Sequence, residues 1–391
     1  GGVSCGYGTQ FGASAPGSMP LSKTLDEGGV VIPPTVLVSA GILAKNLLDD
    51  WFGEGQHGDF IAQVSANRTG LQRLNEVITG LAVPFGVAVN QLQDYAEVIA
   101  RRRLAELPRG SFAFTDYMDD DGFGHLQLPI AVTIDLSAKG VVVDFSGTAL
   151  QVEGNINCPL SVAAAAVYYV FRCLMPDEVP VCAGLFRAIR LSAPLGCLLN
   201  AQRPAAVAAG NVETSMRISD AVLGALAQAA PDLIPAASQG TMNNVAMGGR
   251  GAGGDWDYYE TIAGGMGGHA SGAGLSAVQS HMTNTLNTPV ESLEMHYPLR
   301  VRRYEIRQDS GGPGQYRGGE GLIREFEFLT PTQFTLLTER RRLAPWGLAG
   351  GGDGAVGKNS FNGMSLTTES RPYAVTANGI PNTSPAAGGV R

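Results

Sequence analysis

The sequence predicts an α+β fold, a multi-block mixed fold with a helical hairpin, antiparallel strands and glycine-rich loops. Two observations support this class. Helical and strand-like periodicities occur in separate blocks along the chain, whereas a doubly wound sheet would alternate them. The 53 glycines cluster in loops 248–274, 310–321 and 347–357 and form no repeat. Glycine in such loops indicates tight turns and close backbone approach.

The first block, residues 57–108, is predicted to be the helical hairpin. Its second helix has apolar residues at helical intervals, with Pro84 at its start and Pro108 after its end. These apolar positions are Phe85, Val89, Leu92, Ala96 and Ile99. They are expected to form the buried face of that helix.

The pattern then changes to alternation. Apolar residues at every second position from Ile130 to Leu136, a turn at SAKG, and a second alternating run from Val141 to Phe145 predict a β-hairpin. An alanine-rich helix is expected from Leu160 to Leu174. Strands are expected at 298–307, 322–329 and 333–338.

Composition limits the kind of protein. The 391 residues are 44% hydrophobic and 16% charged, which is typical of a globular chain, and the net charge of −8 argues against a nucleic-acid groove. No stretch approaches 18 apolar residues, so no membrane span is predicted. Five cysteines without CxxC spacing suit a reducing compartment, and a cytoplasmic location is expected.

The stretch Ala208–Gly249 is the most informative, because it places many uncharged polar side chains at the two ends of one helix. Asn211 is expected to be the N-cap, with Glu213 in the first turn and Arg217 following it at i+4; one reading of Glu213 and Arg217 is a surface helix pair. Pro231 is expected to stop the helix. Ser238, Gln239, Thr241, Asn243 and Asn244 follow it. Buried amides and hydroxyls need partners, either one another or a ligand.

This stretch resembles the hydantoinase B/5-oxoprolinase family, and five further segments resemble family motifs in the family's order. They are GDFIAQVSANRTGLQRL (58–74), DFSGTALQVEGNINCPL (144–160), SHMTNTLNTPVESLE (280–294), SGGPGQYRGGEGLIREFEF (310–328) and LTERRRLAPWGLAGG (337–351). The resemblance covers roughly residues 12–360. It implies the B-type, hydrolytic subunit of an ATP-dependent cyclic-amide hydrolase, such as a 5-oxoprolinase or N-methylhydantoinase.

The resemblance also implies partners and a domain division. ATP and Mg²⁺ are expected at a hydantoinase A-type partner subunit, with a small lactam as substrate and no confident cofactor on this chain. Because the chain starts with Gly1, we expect an N-terminally truncated fragment. A divalent metal is then expected only in the full-length protein. The expected regions are 1–56 as a remnant of the N-terminal region, 57–108 as the hairpin, 109–300 as the central α+β catalytic-type region, and 301–391 as a β-rich region.

The substrate-binding residues predicted from the sequence are Gln239, Asn243, Asn244, His281, Asn284 and Asn287. Amide side chains match the donor and acceptor of a cyclic amide. The alternative reading is that they are helix caps and buried turns, with His281 hydrogen-bonded in a turn. Catalytic residues are not identified, and no histidine or cysteine spacing predicts a metal site.

Other interpretations remain open at this point. The segment GGDGAVGKN (351–359) nearly matches a phosphate-binding loop. It lacks the Ser/Thr and the following helix that such loops need. The RRR runs at 101–103 and 340–342 are expected to be solvated faces or ion pairs. The α subunit of an acetone- or acetophenone-type carboxylase looks similar to the family, and an inactive fragment that serves as a scaffold is a third reading.

Overall fold

The computed structural model describes residues 22–28, 32–39, 41–52, 58–249, 254–366, 371–375 and 381–384. Within them, helices and strands occur in mixed blocks with several small sheets, which confirms the α+β prediction. The opening segment that carries Cys5, and part of the glycine loop from 248, lie outside the described residues.

The predicted hairpin region contains two helices, α2 (Gly58–Gly80) and α3 (Phe85–Ala105), after a short helix α1 (Lys45–Phe52) and a two-residue strand pair, β1 (Val38–Ser39) and β2 (Ile42–Leu43). The predicted apolar face of α3 is wrong in part. Ala96 is buried, but Phe85 and Leu92 are exposed. The buried stripe continues instead through Ala100 and Leu104, because only the C-terminal half of α3 lies against the core.

A four-stranded sheet forms the first layer, in the order β3 (Gly110–Asp120), β4 (Leu126–Ser137), β5 (Gly140–Asp144), β6 (Ile189–Ser192). The predicted β4–β5 hairpin is present, with Ser137 opposite Gly140. β6 pairs in parallel with β5, since the chain between them crosses over through helix α4 (Leu160–Cys173). Alternate residues of β4, from Leu128 to Leu136, are buried, as the period-two pattern predicts.

Helix α5 (Ser215–Ala229) packs against β3, β4 and α4. Every residue from Ser215 to Ala227 is buried, the charged ones included. The helix ends two residues before Pro231, as predicted. Its full burial means that the polar side chains of its first turns face protein on all sides.

Two further antiparallel sheets share a second core around Met247, Phe328 and Phe334. One has the order β14 (Arg371–Val375), β11 (Thr332–Leu337), β7 (Asn244–Gly249), β8 (Trp256–Thr261). The other has the order β13 (Met364–Ser365), β12 (Lys358–Phe361), β15 (Pro381–Ser384), β10 (Gly321–Phe328), β9 (Leu299–Arg307), and helix α6 (Val290–His296) packs against β9. The three predicted C-terminal strands are therefore confirmed.

Candidate functional site

A buried ionic cluster lies where β3, the start of α5, the loop 238–243 and the segment after β11 meet. We call it the arginine–carboxylate cluster. Its members come from three parts of the sequence and all are at least 95% buried: Asp116, Asp119, Glu213, Arg217, Asp220, Glu339, Arg340 and Arg341. Burying so many charges is costly unless they are paired and hydrogen-bonded.

Arg340 connects β3 to α5 within this cluster. Its Nη2 donates to Asp116 Oδ2 at 2.7 Å and to Asp220 Oδ2 at 2.9 Å, and its Nη1 donates to Asp116 Oδ1 at 3.2 Å. Trp346 Nε1 donates to the same Asp116 Oδ2. Burial disfavours the charge of Arg340, but Asp116 and Asp220 outweigh this effect and raise its pKa. The guanidinium is therefore held charged by two carboxylates.

Asp119 organises the segment that carries these arginines. Its Oδ2 accepts hydrogen bonds from the backbone N–H groups of Arg341 and Arg342, and its Oδ1 from that of Leu343. Three backbone donors on one carboxylate fix the course of residues 341–343. The three consecutive acids Asp119, Asp120 and Asp121 are all buried, although a charge run usually marks a solvated surface.

Glu213 lies at the centre of the polar stretch singled out in the sequence. Its Oε1 accepts from the backbone N–H of Asn243 at 3.2 Å and from Asn244 Nδ2 at 2.9 Å, while Oε2 has no hydrogen-bond partner among the described residues. Burial raises the pKa of Glu213 to about 8, against opposing effects of Thr241 and Arg341. Glu213 is therefore mostly protonated at neutral pH.

Glu339 is the second carboxyl group of the cluster whose pKa is raised by burial. Burial and the neighbouring Asp119 raise the pKa of Glu339 well above its ordinary value, and Arg217 opposes them only partly. Its Oε2 accepts from the Asp119 backbone N–H at 2.8 Å and lies 3.4 Å from Arg217 Nη2.

The surface pairing predicted between Glu213 and Arg217 is wrong. Both side chains are fully buried. Arg217 donates to the backbone carbonyls of Tyr117 and Gly240 and to Asp116 Oδ1. The i+4 spacing is real, but α5 is enclosed by protein, so long-range carboxylates and carbonyls replace the local pair.

The N-cap prediction for Asn211 is also wrong. A π-helical turn, Gly210–Thr214, precedes α5, with Ala209 at the cap position and no side-chain cap bond. Asn211 Oδ1 is buried and has no hydrogen-bond partner in the part of the chain that the structure describes, whereas the Asn211 backbone carbonyl accepts from Ser215 Oγ at 2.6 Å. The wider π turn replaces the N-cap geometry. Such turns occur frequently at functional sites.

Three of the eight non-glycine residues with a left-handed backbone among the described residues lie in this region. These residues, Asn243, Arg340 and His281, have φ angles of 54°, 60° and 52°. Left-handed non-glycine residues of this kind cost of order 1–3 kcal/mol each and cluster at active sites and switches. Gly240, with φ of 61°, has no room for a side chain, since a Cβ would lie 2.5 Å from Arg340 Nε.

Three of the six predicted substrate-binding residues lie together, fully buried, around Thr241. Gln239 Nε2 donates to the Thr241 carbonyl at 2.8 Å, and its Oε1 has no hydrogen-bond partner among the described residues. Asn243 Oδ1 accepts from Arg341 Nη2. Asn244 bridges Glu213 and the half-exposed Tyr259, whose hydroxyl donates to Asn244 Oδ1.

His281 lies on the other side of the cluster. Its Nε2 is 3.2 Å from Asp220 Oδ1 and its Nδ1 is 3.3 Å from the Tyr169 hydroxyl. Burial alone would raise the pKa of Asp220, but the hydrogen bond from His281 and the charge of Arg340 hold it at about 2. The side chain bridges α4 and α5 through Tyr169 and Asp220.

The remaining two predicted residues lie further out. Asn287 Nδ2 donates to the Thr261 carbonyl at 2.8 Å, and Thr261 pairs with Asn244 across β7 and β8. Asn284 is exposed. A surface cavity of about 140 Å³, lined by residues that include Arg101, Leu104 and Arg109, involves none of the six.

Sequence reasoning missed Asp116, Asp119, Glu339, Arg340 and Arg341 as members of the cluster. The run 340–342 had two readings, a solvated face or ion pairs. The solvated face is wrong for Arg340 and Arg341, because both are buried. The ion pair is confirmed for Arg340, which pairs with Asp116. The usable signal was the pair of complementary runs, DYMDDD at 116–121 and ERRR at 339–342. Apolar neighbours on both sides of each run argued for burial.

The glycine motif at 351–359 runs into strand β12, not into a helix, and Asn359 Oδ1 accepts from Arg341. Within the described part of the chain, no group of three or more His, Cys, Asp or Glu side chains is placed to hold a metal ion. No helix among the described residues is long and apolar enough to cross a membrane.

Comparison with known proteins gives long matches to relatives. The chain is 36% identical over 372 residues to a 5-oxoprolinase of Dictyostelium discoideum, covering 91% of this chain and 28% of that protein. It is 35% identical over 316 residues to a Pseudomonas sp. (strain NS671) protein named as the B-type component of a D-/L-hydantoinase, covering 78% of this chain and 53% of that one. The chain thus spans about a quarter to a half of these two relatives.

Two solved structures share the fold. The ATP-dependent caprolactamase of Pseudomonas jessenii superposes with a TM-score of 0.87 at 24% identity, covering 98% of this chain and 70% of that chain. A nucleotide-free acetone carboxylase superposes with a TM-score of 0.82 at 15% identity, covering 97% and 59%. The sequence model of the Hydantoinase B/oxoprolinase family matches residues 3–387. The chain belongs to the Hydantoinase B/oxoprolinase family.

Proposed function

We propose that this chain supplies the hydrolytic, B-type part of an ATP-dependent cyclic-amide hydrolase and acts with a hydantoinase A-type subunit. The observation that carries the proposal is the family match over residues 3–387. Two relatives are named as a 5-oxoprolinase and a hydantoinase component, and a protein that shares the fold is named as a caprolactamase. All three names refer to cyclic amides. Candidate substrates are 5-oxoproline, hydantoins and related lactams.

The proposed division of labour follows from the stability of amides. ATP and Mg²⁺ at the partner subunit phosphorylate the lactam oxygen. One water then adds to the activated carbon, and the carbon–nitrogen bond breaks as the nitrogen takes a proton. A second water releases the phosphate, so lactam, ATP and two waters give the ring-opened amino acid, ADP and phosphate. A divalent metal that activates the water remains an expectation for the longer proteins of the family.

The arginine–carboxylate cluster is the part of this chain that we propose to serve the reaction. Its support is the concentration of a π turn, three left-handed non-glycine residues and buried unpartnered oxygens on Glu213 and Gln239. We retain Gln239, Asn243, Asn244, His281, Asn284 and Asn287 as proposed substrate-binding residues. Because the first three are buried, contact with a substrate requires the loop 238–243 and the start of β7, which holds Asn244, to move.

The test is a reconstituted assay. The chain is mixed with a hydantoinase A-type subunit, ATP, Mg²⁺ and, in separate reactions, 5-oxoproline, hydantoin or caprolactam. We expect phosphate and ring-opened acid in equal amounts from at least one lactam, and neither product from this chain alone. Turnover by the chain without the A-type subunit would contradict the proposed division.

The same mixture with acetone and bicarbonate in place of the lactam tests the carboxylase reading. Carboxylation of the ketone, with no lactam opened, would replace the hydrolase proposal. Stable complex formation with the A-type subunit on size exclusion is expected in either case.

The four described cysteines are free, and a cytoplasmic location remains the proposal that the cysteine pattern supports.

A further inference from the structure

Three hydrogen-bonded side chains lead from helix α4 into the buried helix α5, and we call them the Tyr–His–Asp relay: Tyr169, His281 and Asp220. His281 Nε2 is 3.2 Å from Asp220 Oδ1, and His281 Nδ1 is 3.3 Å from the Tyr169 hydroxyl. The rings of Tyr169 and His281 also pack edge to face, with centroids 5.8 Å apart. Exposure rises along the relay, from 0% for the Asp220 side chain and 8% for that of His281 to the partly exposed Tyr169. The Tyr169 end is therefore the one that another molecule can reach.

Asp220 determines which nitrogen of His281 carries hydrogen. Burial alone would raise the pKa of Asp220, but the hydrogen bond from His281 and the charge of Arg340 hold it at about 2, so Asp220 is ionised at neutral pH. An ionised carboxylate only accepts hydrogen bonds, so Nε2 carries the hydrogen. In a neutral imidazole Nδ1 is then the acceptor, and the Tyr169 hydroxyl donates to it. His281 thus presents a base to a hydroxyl group, with a carboxylate behind it, as in an Asp–His–hydroxyl triad.

The Tyr169 hydroxyl keeps its proton at neutral pH. Burial raises the pKa of Tyr169, and the neighbouring Cys173 and Asp220 act in the same direction. A protonated phenol is a poor nucleophile toward carbon. Its oxygen can, however, take up one proton while its own proton moves to His281 Nδ1. This hydroxyl is therefore suited to passing a proton in either direction.

The segment that holds His281 has two further features. His281 has a φ of 52°, in the left-handed region that non-glycine residues seldom adopt. Its neighbours Ser280 and Thr283 are 5% and 7% exposed, and neither hydroxyl oxygen has a hydrogen-bond partner among the described residues. Buried hydroxyl groups are normally hydrogen-bonded. These two can therefore serve the polar atoms of a molecule bound at this segment.

We propose that Tyr169 is a catalytic proton carrier in the opening of the lactam ring, with His281 as its base and Asp220 as the residue that positions His281. The inference rests on the proposed function, whose reaction requires two proton transfers. The water that adds to the activated carbon must lose a proton, and this proton needs an acceptor whether or not a metal also activates the water. The ring nitrogen must gain a proton when the carbon–nitrogen bond breaks. One carrier serves both steps.

In the first step the nitrogen of the phosphorylated lactam still has its own hydrogen. The water oxygen forms a bond to the carbon, and the electron pair of the carbon–nitrogen double bond moves to the nitrogen. One water proton passes to the Tyr169 oxygen while the Tyr169 proton passes to His281 Nδ1. The resulting imidazolium lies against the Asp220 carboxylate, which stabilises its charge.

In the second step the carbon–nitrogen bond breaks and its electron pair leaves with the nitrogen. The nitrogen takes the Tyr169 proton, and Tyr169 regains a proton from His281 Nδ1. The hydroxyl oxygen on carbon forms the carbonyl of an acyl phosphate and releases its proton to solvent. The relay returns to its starting state, and the second water of the proposed reaction releases the phosphate.

The test is a single turnover of the reconstituted enzyme, with the A-type subunit, ATP, Mg²⁺ and the lactam that the unmodified protein opens. Tyr169→Phe removes only the hydroxyl group. We expect it to form ring-opened acid at least about 100-fold more slowly, because a positioned acid–base group contributes about 10²–10⁴-fold. ADP should form at the unmodified rate, because ATP is consumed before the water adds. The matched control is Tyr168→Phe, on the same helix, where the ring stacks on Phe186 with centroids 4.4 Å apart. It should keep both rates.

The hydrogen on the His281 ring is a second measurement, and it needs no activity. The nitrogen-15 spectrum of the unmodified protein at pH 8, with the His281 signals assigned by their loss in His281→Gln, should show hydrogen on Nε2. His281→Gln should also slow acid formation while ADP formation continues, since an amide cannot take up and return the proton.

Three results would overturn the relay alone: hydrogen on Nδ1 of His281, acid formation by Tyr169→Phe at the unmodified rate, or a parallel loss of ADP, acid and melting temperature in both variants. The third would show that these side chains stabilise the fold only. An unmodified protein that opens no lactam would instead refute the proposed function, and the relay with it.

Discussion

Arg340 and Asp116 form a two-bond ion pair, at 2.7 and 3.2 Å, although 224 positions separate them in the sequence. Both side chains are buried, and Asp220 accepts from the same guanidinium. The pair joins strand β3 to the segment after β11. It therefore couples the N-terminal sheet layer to the C-terminal strands at the arginine–carboxylate cluster.

Removing one partner of this pair should destabilise the protein strongly. We expect Asp116→Ala to lower the free energy of unfolding by about 3–5 kcal/mol, because Arg340 keeps its charge without its main carboxylate. The control Glu76→Ala, which breaks the exposed pair between Arg73 and Glu76, should change it by less than about 1 kcal/mol. Urea denaturation measures both, and equal effects would contradict the role assigned to Arg340 and Asp116.

Gly240 is predicted to tolerate no side chain. In Gly240→Ala a Cβ would lie 2.5 Å from Arg340 Nε and 2.9 Å from Asp220 Oδ2, at a φ of 61°. We expect a loss of at least about 2 kcal/mol from strain and displaced hydrogen bonds. Gly70→Ala is the control, since Gly70 lies in exposed helix α2 with open space around it, and alanine there should be neutral or slightly stabilising. A Gly240→Ala protein as stable as the control would contradict the packing described.

Glu213 predicts a pH dependence of stability. Its pKa is raised to about 8 in the folded protein, above its ordinary value near 4.5, so the folded state binds the proton more tightly than the unfolded state. Its contribution is complete below the ordinary pKa and is lost as pH rises toward 8. Between pH 6 and 8 the free energy of unfolding should fall by on the order of 2 kcal/mol from this group.

Glu213→Gln isolates this contribution, because the amide keeps the shape and the acceptor oxygen but does not titrate. Denaturation at pH 6 and at pH 8 should show a smaller fall in the variant than in the unmodified protein. Glu339, which is shifted in the same direction, is present in both proteins, and Glu213 is the last of the causes of its raised pKa, after burial and Asp119. An identical fall in the two proteins would mean that Glu213 is already ionised at pH 6.

Much of the fold could be predicted from local patterns. The β4–β5 hairpin, helix α4 and the strands β9 to β11 follow from periodicity and turn residues, which act over a few positions. The buried face of α3 could not be predicted, because apolar residues at Phe85 and Leu92 satisfy helical spacing whether or not the core reaches them. Burial there is decided by where α3 meets the segment Ala183–Phe186 and strand β5.

The arginine–carboxylate cluster, too, could be predicted from the sequence only in part. The polar stretch that holds Gln239, Asn243 and Asn244 could be selected from composition alone. Its partners could not, since Arg341 contacts Asn243 across 98 positions and Arg340 contacts Asp116 across 224. The Glu213–Arg217 spacing predicted a local pair because helix rules assume solvent on one side, whereas α5 is enclosed by protein.

The central claim is that the loop after α5 serves the opening of a cyclic amide, and kcat/KM of Gln239→Ala in the reconstituted enzyme tests it most directly. We predict a decrease of tenfold or more, or about 1.4 kcal/mol of transition-state stabilisation, measured at a temperature at which the variant is fully folded. Gln228→Ala, which removes an exposed glutamine that donates to the Ala113 carbonyl, should leave kcat/KM unchanged. A Gln239→Ala enzyme with a lowered melting temperature and an unchanged kcat/KM would contradict the claim. It would mean that this loop stabilises the fold and has no part in the reaction.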